Sequence, residues 1–151
     1  MSSLECYYAI TETPHDVIAD VVDSAEAAYR AVGLRQGASP DRVHRMGVCV
    51  DVINAMGHDL LNVKDKGYKA GMVESRFAGW DHTYISIIPP DSDRRIIADP
   101  TYLQFWDYNP RPDDIDPDSL PQLLLGTPAE AVRQALSYGF SAQEAGIWGP
   151  V

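Results

Sequence analysis

Residues 79–105 read GWDHTYISIIPPDSDRRIIADPTYLQF, and this stretch restricts the fold more than any other. Thr83, Ile85 and Ile87 alternate with His82, Tyr84 and Ser86, the period-two pattern of a strand. The PPDSD that follows is a turn signal, and residues 94–98 supply a second strand. Two such strands must pair antiparallel. For a simple hairpin centred on PPDSD, opposed residue numbers sum to about 181, so that 82 faces 99 and 84 faces 97. Opposed residues share a face, with Cβ atoms ~5 Å apart. His82 and Asp99 are then expected side by side on one face. Ile85, Ile87, Ile96 and Ala98 take the other, the core side.

The rest of the chain supplies one more strand and several helices. Residues 68–76 read as a strand. Thr13-Pro14 resembles an N-cap and first helical residue, and Val17, Val21, Ala25, Ala28, Tyr29 and Val32 follow helical spacing up to a C′ stop at Gly33. Ser39-Pro40 opens a short second helix to about Met46. Cys49, Val52, Ile53, Met56, Leu60 and Val63 form one stripe of a third helix over 49–63. Residues 107–121 hold four prolines and five aspartates and are expected as a surface loop. Thr127-Pro128 opens a helix over 128–138 that ends at Gly139, and SAQEAG adds a helical turn. Helices followed by neighbouring strands predict an α+β fold with an antiparallel sheet.

Cys49 has two readings. Cysteine is among the most buried residue types, and this one lies on an apolar stripe. It also opens a predicted helix, where free N–H groups and the macrodipole favour a thiolate. The hairpin adds weight to the second reading. A carboxylate beside a histidine fixes its tautomer and stabilises the imidazolium. A cysteine aimed at the other ring nitrogen completes a Cys49–His82–Asp99 triad. The bland alternative for His82 and Asp99 is a surface pair, which contributes little.

Bulk properties exclude several classes. The 151 residues predict one domain, 1–151: N-terminal helices over 1–46, a catalytic core over 47–105, and a loop and C-terminal helix over 106–151. No run approaches the ~18–20 apolar residues of a membrane span, and the N-terminus lacks the regions of a signal peptide. The formal net charge is −10, from 22 acidic and 12 basic residues. That disfavours nucleic acid and anionic membranes and leaves room for a basic protein partner. Two cysteines make no disulfide framework, so the expected compartment is the cytoplasm; delivery as an effector stays open.

The order of these segments also resembles a family. A cysteine at a helix N-terminus, a His-led strand (DHTYISI) and an Asp-Pro-Thr segment (IIADPTYLQF) are similar to the transglutaminase-like branch of the papain-like cysteine enzymes. The longer tail, DPTYLQFW through LPQLLLGTPAEAV, looks like that of bacterial papain-fold effector and toxin deamidases. The resemblance covers about residues 45–135, and Val48 stands where transglutaminases usually have tryptophan. It implies a papain-like α+β fold and a thiol enzyme that attacks amide or related acyl carbonyls, with glutamine deamidation of a protein as the leading activity. His82 would deprotonate Cys49. The Cys49 N–H would help to hold the oxyanion, with Gln36 and Gln104 as weak candidates for a second donor and a structural role as the favoured alternative for Gln104. No cofactor is implied.

Other signals point elsewhere. Asp114, Asp116 and Asp118 follow calcium-loop spacing, but Ser119 stands in place of the turn glycine and Leu125 in place of the bidentate Glu. His15, His44, His58 and His82 show no zinc spacing with cysteine, so no metal is expected. His44 and His58 are expected at the surface. His58 lies nine residues, about 13 Å of helical rise, beyond Cys49, too far for a base. Cys6 is a core or free thiol. Trp80 and the aromatics over 102–108 suit a cleft or a core equally. The rival functions are an amide synthase or acyltransferase of small-molecule biosynthesis, and a non-catalytic, acidic, immunity-type binding module.

Overall fold

The computed structural model describes residues 4–10, 12–77, 79–92 and 94–149. Helices come first: α1 (Leu4–Tyr8), α2 (His15–Gln36), α3 (Pro40–Val43), α4 (Cys49–Asp59) and α5 (Leu61–Asp65). Strands β1 (Lys69–Phe77), β2 (Trp80–Ile88) and β3 (Ile96–Asp99) follow. A 3-10 segment, Tyr102–Tyr108, and a 3-10 turn, Pro117–Ser119, lead to β4 (Leu124–Gly126), α6 (Pro128–Ser137) and α7 (Ala142–Ala145). The fold is mixed α+β, with an antiparallel sheet in the order β1-β2-β3-β4. Among the described residues no helix is long and apolar enough to cross a membrane.

The sheet is covered on both faces. Ile85, Ile87, Ile96, Ala98 and Leu125 pack with Val21, Ala25 and Ala28 of α2 and with Val52 and Met56 of α4. Tyr84, Ile97 and Leu124 turn the other way, onto Leu103, Phe105, Ala131, Phe140 and Trp148. The face carrying His82 is therefore a second core. The sequence reading assigned a core to one side alone, because β4 and the 3-10 segment were not recognised.

The hairpin register differs from expectation by two. Ile85 pairs with Ala98, Ser86 with Ile97 and Ile87 with Ile96, so opposed numbers sum to 183. Continued, this register sets Asp99 opposite Tyr84 and diagonal to His82. A slip of two leaves every side chain on its expected face, whereas a slip of one would reverse them all.

Helix boundaries shift for physical reasons. Pro14 is the N-cap of α2, not its first residue, and Gly33 lies inside the helix. The stop is Gly37, at φ 68°, a left-handed conformation that favours glycine. Gly33 serves close approach instead: a Cβ there would lie 2.7 Å from the Ala38 carbonyl oxygen. The expected helix over 49–63 divides at Leu60 into α4 and α5. Thr127 caps α6 in a reciprocal pair with Glu130.

The acidic loop is anchored. Arg111 grips both oxygens of Glu144 at 2.6 and 2.8 Å and lies 5.0 Å over Trp106 and 4.6 Å over Phe140. Burial works to raise the Glu144 carboxyl, but Arg111, the Ser141 N–H and Asn109 hold it at about 2. Arg45 pairs with Asp107 and Asp118.

Gly33→Ala tests the α2–α3 reversal. The helix interior prefers Ala by about 1 kcal/mol, but overlap with a fixed backbone carbonyl costs ~1–3 kcal/mol. We expect net destabilisation, read as a melting temperature lower by about 2–4 °C. A variant that melts at or above the wild-type temperature would refute the close-approach role.

Candidate functional site

Cys49 is the first residue of α4. Its N-cap, Val48, offers no side-chain hydrogen bond, so N–H groups of the first turn keep their capacity for a negative charge. The thiol is half-buried and free. β2 brings His82 and Thr83 beneath it, and the 3-10 segment brings Gln104. The hydrogen bond with His82 is the main force drawing the thiol down from 9.0 to about 6; burial opposes it, and the Thr83 side chain, the Thr83 backbone and Gln104 assist.

His82 is held from both ring nitrogens. Nε2 lies 2.6 Å from Asp99 Oδ2, with both side chains fully buried. Burial works against the imidazolium, but the charge and hydrogen bond of Asp99, followed by the thiolate of Cys49, raise the ring from 6.5 to about 9. Nδ1 is the nitrogen left for the thiol. It also has Gln104 Nε2 at 2.7 Å, while Gln104 Oε1 is buried without a partner. An amide N–H can donate only to a neutral ring. An imidazolium needs an acceptor at Nδ1, which is the thiolate or the amide turned to present its oxygen.

Asp99 is enclosed by donors. Oδ2 accepts from His82 and, at 2.7 Å, from the indole Nε1–H of Trp148. Oδ1 accepts from the Thr101 N–H at 3.1 Å. Phe105 meets the His82 ring edge-on at 5.2 Å. Tyr108 continues the aromatic series to Trp80, and both of these outer rings are about half exposed.

The structure thus gathers Cys49, His82 and Asp99. It departs from expectation at several points. The His82–Asp99 pair is fully buried, which rules out the surface-pair alternative. His44 is buried against Tyr29 and lowered to about 4 by burial; the apolar environment of α2 encloses it. The His58 side chain lies outside the described residues. Cys6 is an exposed free thiol. Gln36 is exposed at the end of α2 and is not among the groups acting on Cys49, whereas Gln104 is. The acidic loop docks on Arg45 through Asp118, and no group of three metal-ligating side chains occurs among the described residues.

Thr83, Thr101 and Trp148 were missed. The Thr101 contact was readable in principle, since an Asp side chain often accepts from an N–H two residues on. Trp148 gave no signal, because 49 residues separate it from Asp99.

The two shifts give a defined pH response. Below about 6 the thiol and the ring both carry protons. Between about 6 and about 9 the pair is thiolate–imidazolium, and above about 9 the ring is neutral. In a Cys6→Ser background, iodoacetamide should therefore alkylate Cys49 at a rate that rises with a midpoint near pH 6 and changes again near pH 9. His82→Ala should abolish the lower step and move the rise toward ~8.5. An unchanged profile in that variant would show that His82 does not activate the thiol.

Comparison with protein-family models, with curated proteins and with solved structures finds no match, so the chemistry rests on the chain's own residues.

Proposed function

We propose that this chain is a cysteine-dependent enzyme of papain-like, transglutaminase-like fold, acting on amide or related acyl carbonyls. Glutamine deamidation of a protein is the leading activity. The observation that carries the reading is His82 acted on from two sides: it draws the helix-terminal thiol of Cys49 down to about 6, and a buried carboxylate lies 2.6 Å from its Nε2. A structural cysteine in a core has no need of such a partner, and burying an ionised pair has a large desolvation cost. This arrangement also argues against a non-catalytic, immunity-type module.

The steps follow from the groups present. The Cys49 thiolate attacks the carbonyl carbon, forming the C–S bond and an oxyanion. The Cys49 backbone N–H at the start of α4 is one donor to that oxyanion; Gln104, whose side chain also acts on the thiol, is the candidate for a second. The tetrahedral species collapses as His82 gives its proton to the departing nitrogen, releasing ammonia or an amine. His82, now neutral, takes a proton from water as that water attacks the thioester. Collapse of the second tetrahedral species frees the acid and restores the thiolate, with His82 again charged.

Ammonia release from a glutamine-containing protein or peptide, with a mass gain of about 1 Da on the product, tests the deamidase reading; burst release of p-nitrophenol from p-nitrophenyl acetate tests acyl-enzyme formation. A new amide in an amine acceptor would favour the acyltransferase alternative. Cys49→Ala should abolish turnover with little change in melting temperature, and turnover at the wild-type rate would end the proposal. Asp99→Asn should lower turnover per folded molecule by about 10–1,000-fold. Because Asp99 is fully buried, this variant should also lose stability, on the order of 1–3 kcal/mol. Stability loss alone, with turnover intact, would reduce Asp99 to a structural residue.

A further inference from the structure

Asp99 Oδ2 is shared. His82 Nε2 reaches it at 2.6 Å and Trp148 Nε1 at 2.7 Å. Both donors are buried, Trp148 completely. Trp148 comes from the segment after α7, which is fastened independently: the Tyr84 hydroxyl donates to the Ile147 carbonyl at 2.7 Å, and Glu144 of α7 is gripped by Arg111. The indole ring packs among Tyr102 and Phe140, edge-on to both. Aromatic packing alone would be satisfied by phenylalanine. The indole N–H is the one feature of Trp148 that the carboxylate uses.

From this geometry we infer that Trp148 is a positioning residue: its N–H orients the Asp99 carboxylate and, by taking part of the charge on Oδ2, limits how tightly Asp99 holds the His82 imidazolium. The physical reason is competition. An oxygen that accepts from two donors has less charge to offer to each. Without the indole N–H, His82 has Oδ2 to itself and the imidazolium becomes harder to discharge. The carboxylate also loses one of three constraints and is free to turn about its bond. The other titratable groups near the ring are Cys49 on α4 and Tyr84 on β2, whose ring lies 6.3 Å from His82. Tyr29 of α2 and Tyr102 of the 3-10 segment also feel the Asp99 charge. Burial raises both tyrosines well above their ordinary value, so they stay neutral throughout the range in which His82 titrates.

The inference rests on the proposed acyl-transfer reading only in its last arm. In wild-type protein, the indole ¹⁵N–¹H resonance of Trp148 should titrate with the same midpoint, near pH 9, as the upper step of Cys49 alkylation, with the indoles of Trp80 and Trp106 as internal references. In Trp148→Phe the upper alkylation midpoint should rise by about 0.5–1 pH unit, and p-nitrophenyl acetate turnover at pH 7 should fall about 10–100-fold. Glu144→Gln is the control, because it loosens the same segment without touching Asp99; it should lower the melting temperature and leave the midpoint in place. A Trp148 indole indifferent to pH in this range overturns the inference, and this measurement needs no variant to fold. An unmoved midpoint in folded Trp148→Phe, or an equal shift in Glu144→Gln, overturns it as well. If wild-type protein shows no acyl transfer while the indole and alkylation titrations coincide, the enzyme reading fails and the shared carboxylate stands.

Discussion

A carboxylate with no solvent exposure must be paired and hydrogen-bonded, or it does not stay charged. Asp99 meets that demand with three donors from three parts of the chain: a ring from β2, a backbone N–H two residues on, and an indole after α7. Much else follows from it. The ring nitrogen that Asp99 takes decides which nitrogen remains for Cys49. The charge it supplies keeps His82 protonated against the cost of burial, and protonated His82 in turn keeps Cys49 ionised.

The second core encloses this carboxylate. A sheet with one open face would leave Asp99 and His82 in water, where their pairing would be screened and weak. Here aromatic side chains of the 3-10 segment, with Phe140 and Trp148, close that face together with Ala131 and Ala135 of α6 and Ala145 of α7. They are held by a bidentate Arg111–Glu144 pair, stacked on two rings, and not by apolar contact alone. The opposite layer, α2 with α4, carries the thiol. The candidate site therefore sits where the two layers meet across β2, and neither layer is sufficient without the other.

Gln104 sets the condition on which the proposed chemistry turns. Its amide lies on the nitrogen that the thiol needs, and its buried oxygen has no partner. Formation of the thiolate–imidazolium pair is thus tied to a rotation or withdrawal of one amide. The aromatic series from Phe105 to Trp80 gives the same ring a rigid wall that ends in half-exposed side chains.

Alternation in DHTYISII, a turn at PPDSD and apolar spacing after Cys49 determined much by themselves: an antiparallel hairpin, a helix headed by the cysteine, and a shared face for His82 and Asp99. These are short-range, periodic features, and a period of two survives even a register error of two. The sequence alone did not determine that register, the end of α2 at Gly37 over Gly33, or the burial of His44. Each depends on what packs from elsewhere in the chain. The same is true of the site's remaining members. Gln104 comes to the ring from 22 residues beyond His82, where the sequence offered it only as an oxyanion donor, and Trp148 comes to Asp99 from 49 residues beyond it with no local pattern to mark it. Tertiary structure decided them because pairing a buried charge is a requirement in three dimensions, met by whichever donors the closed fold brings within reach.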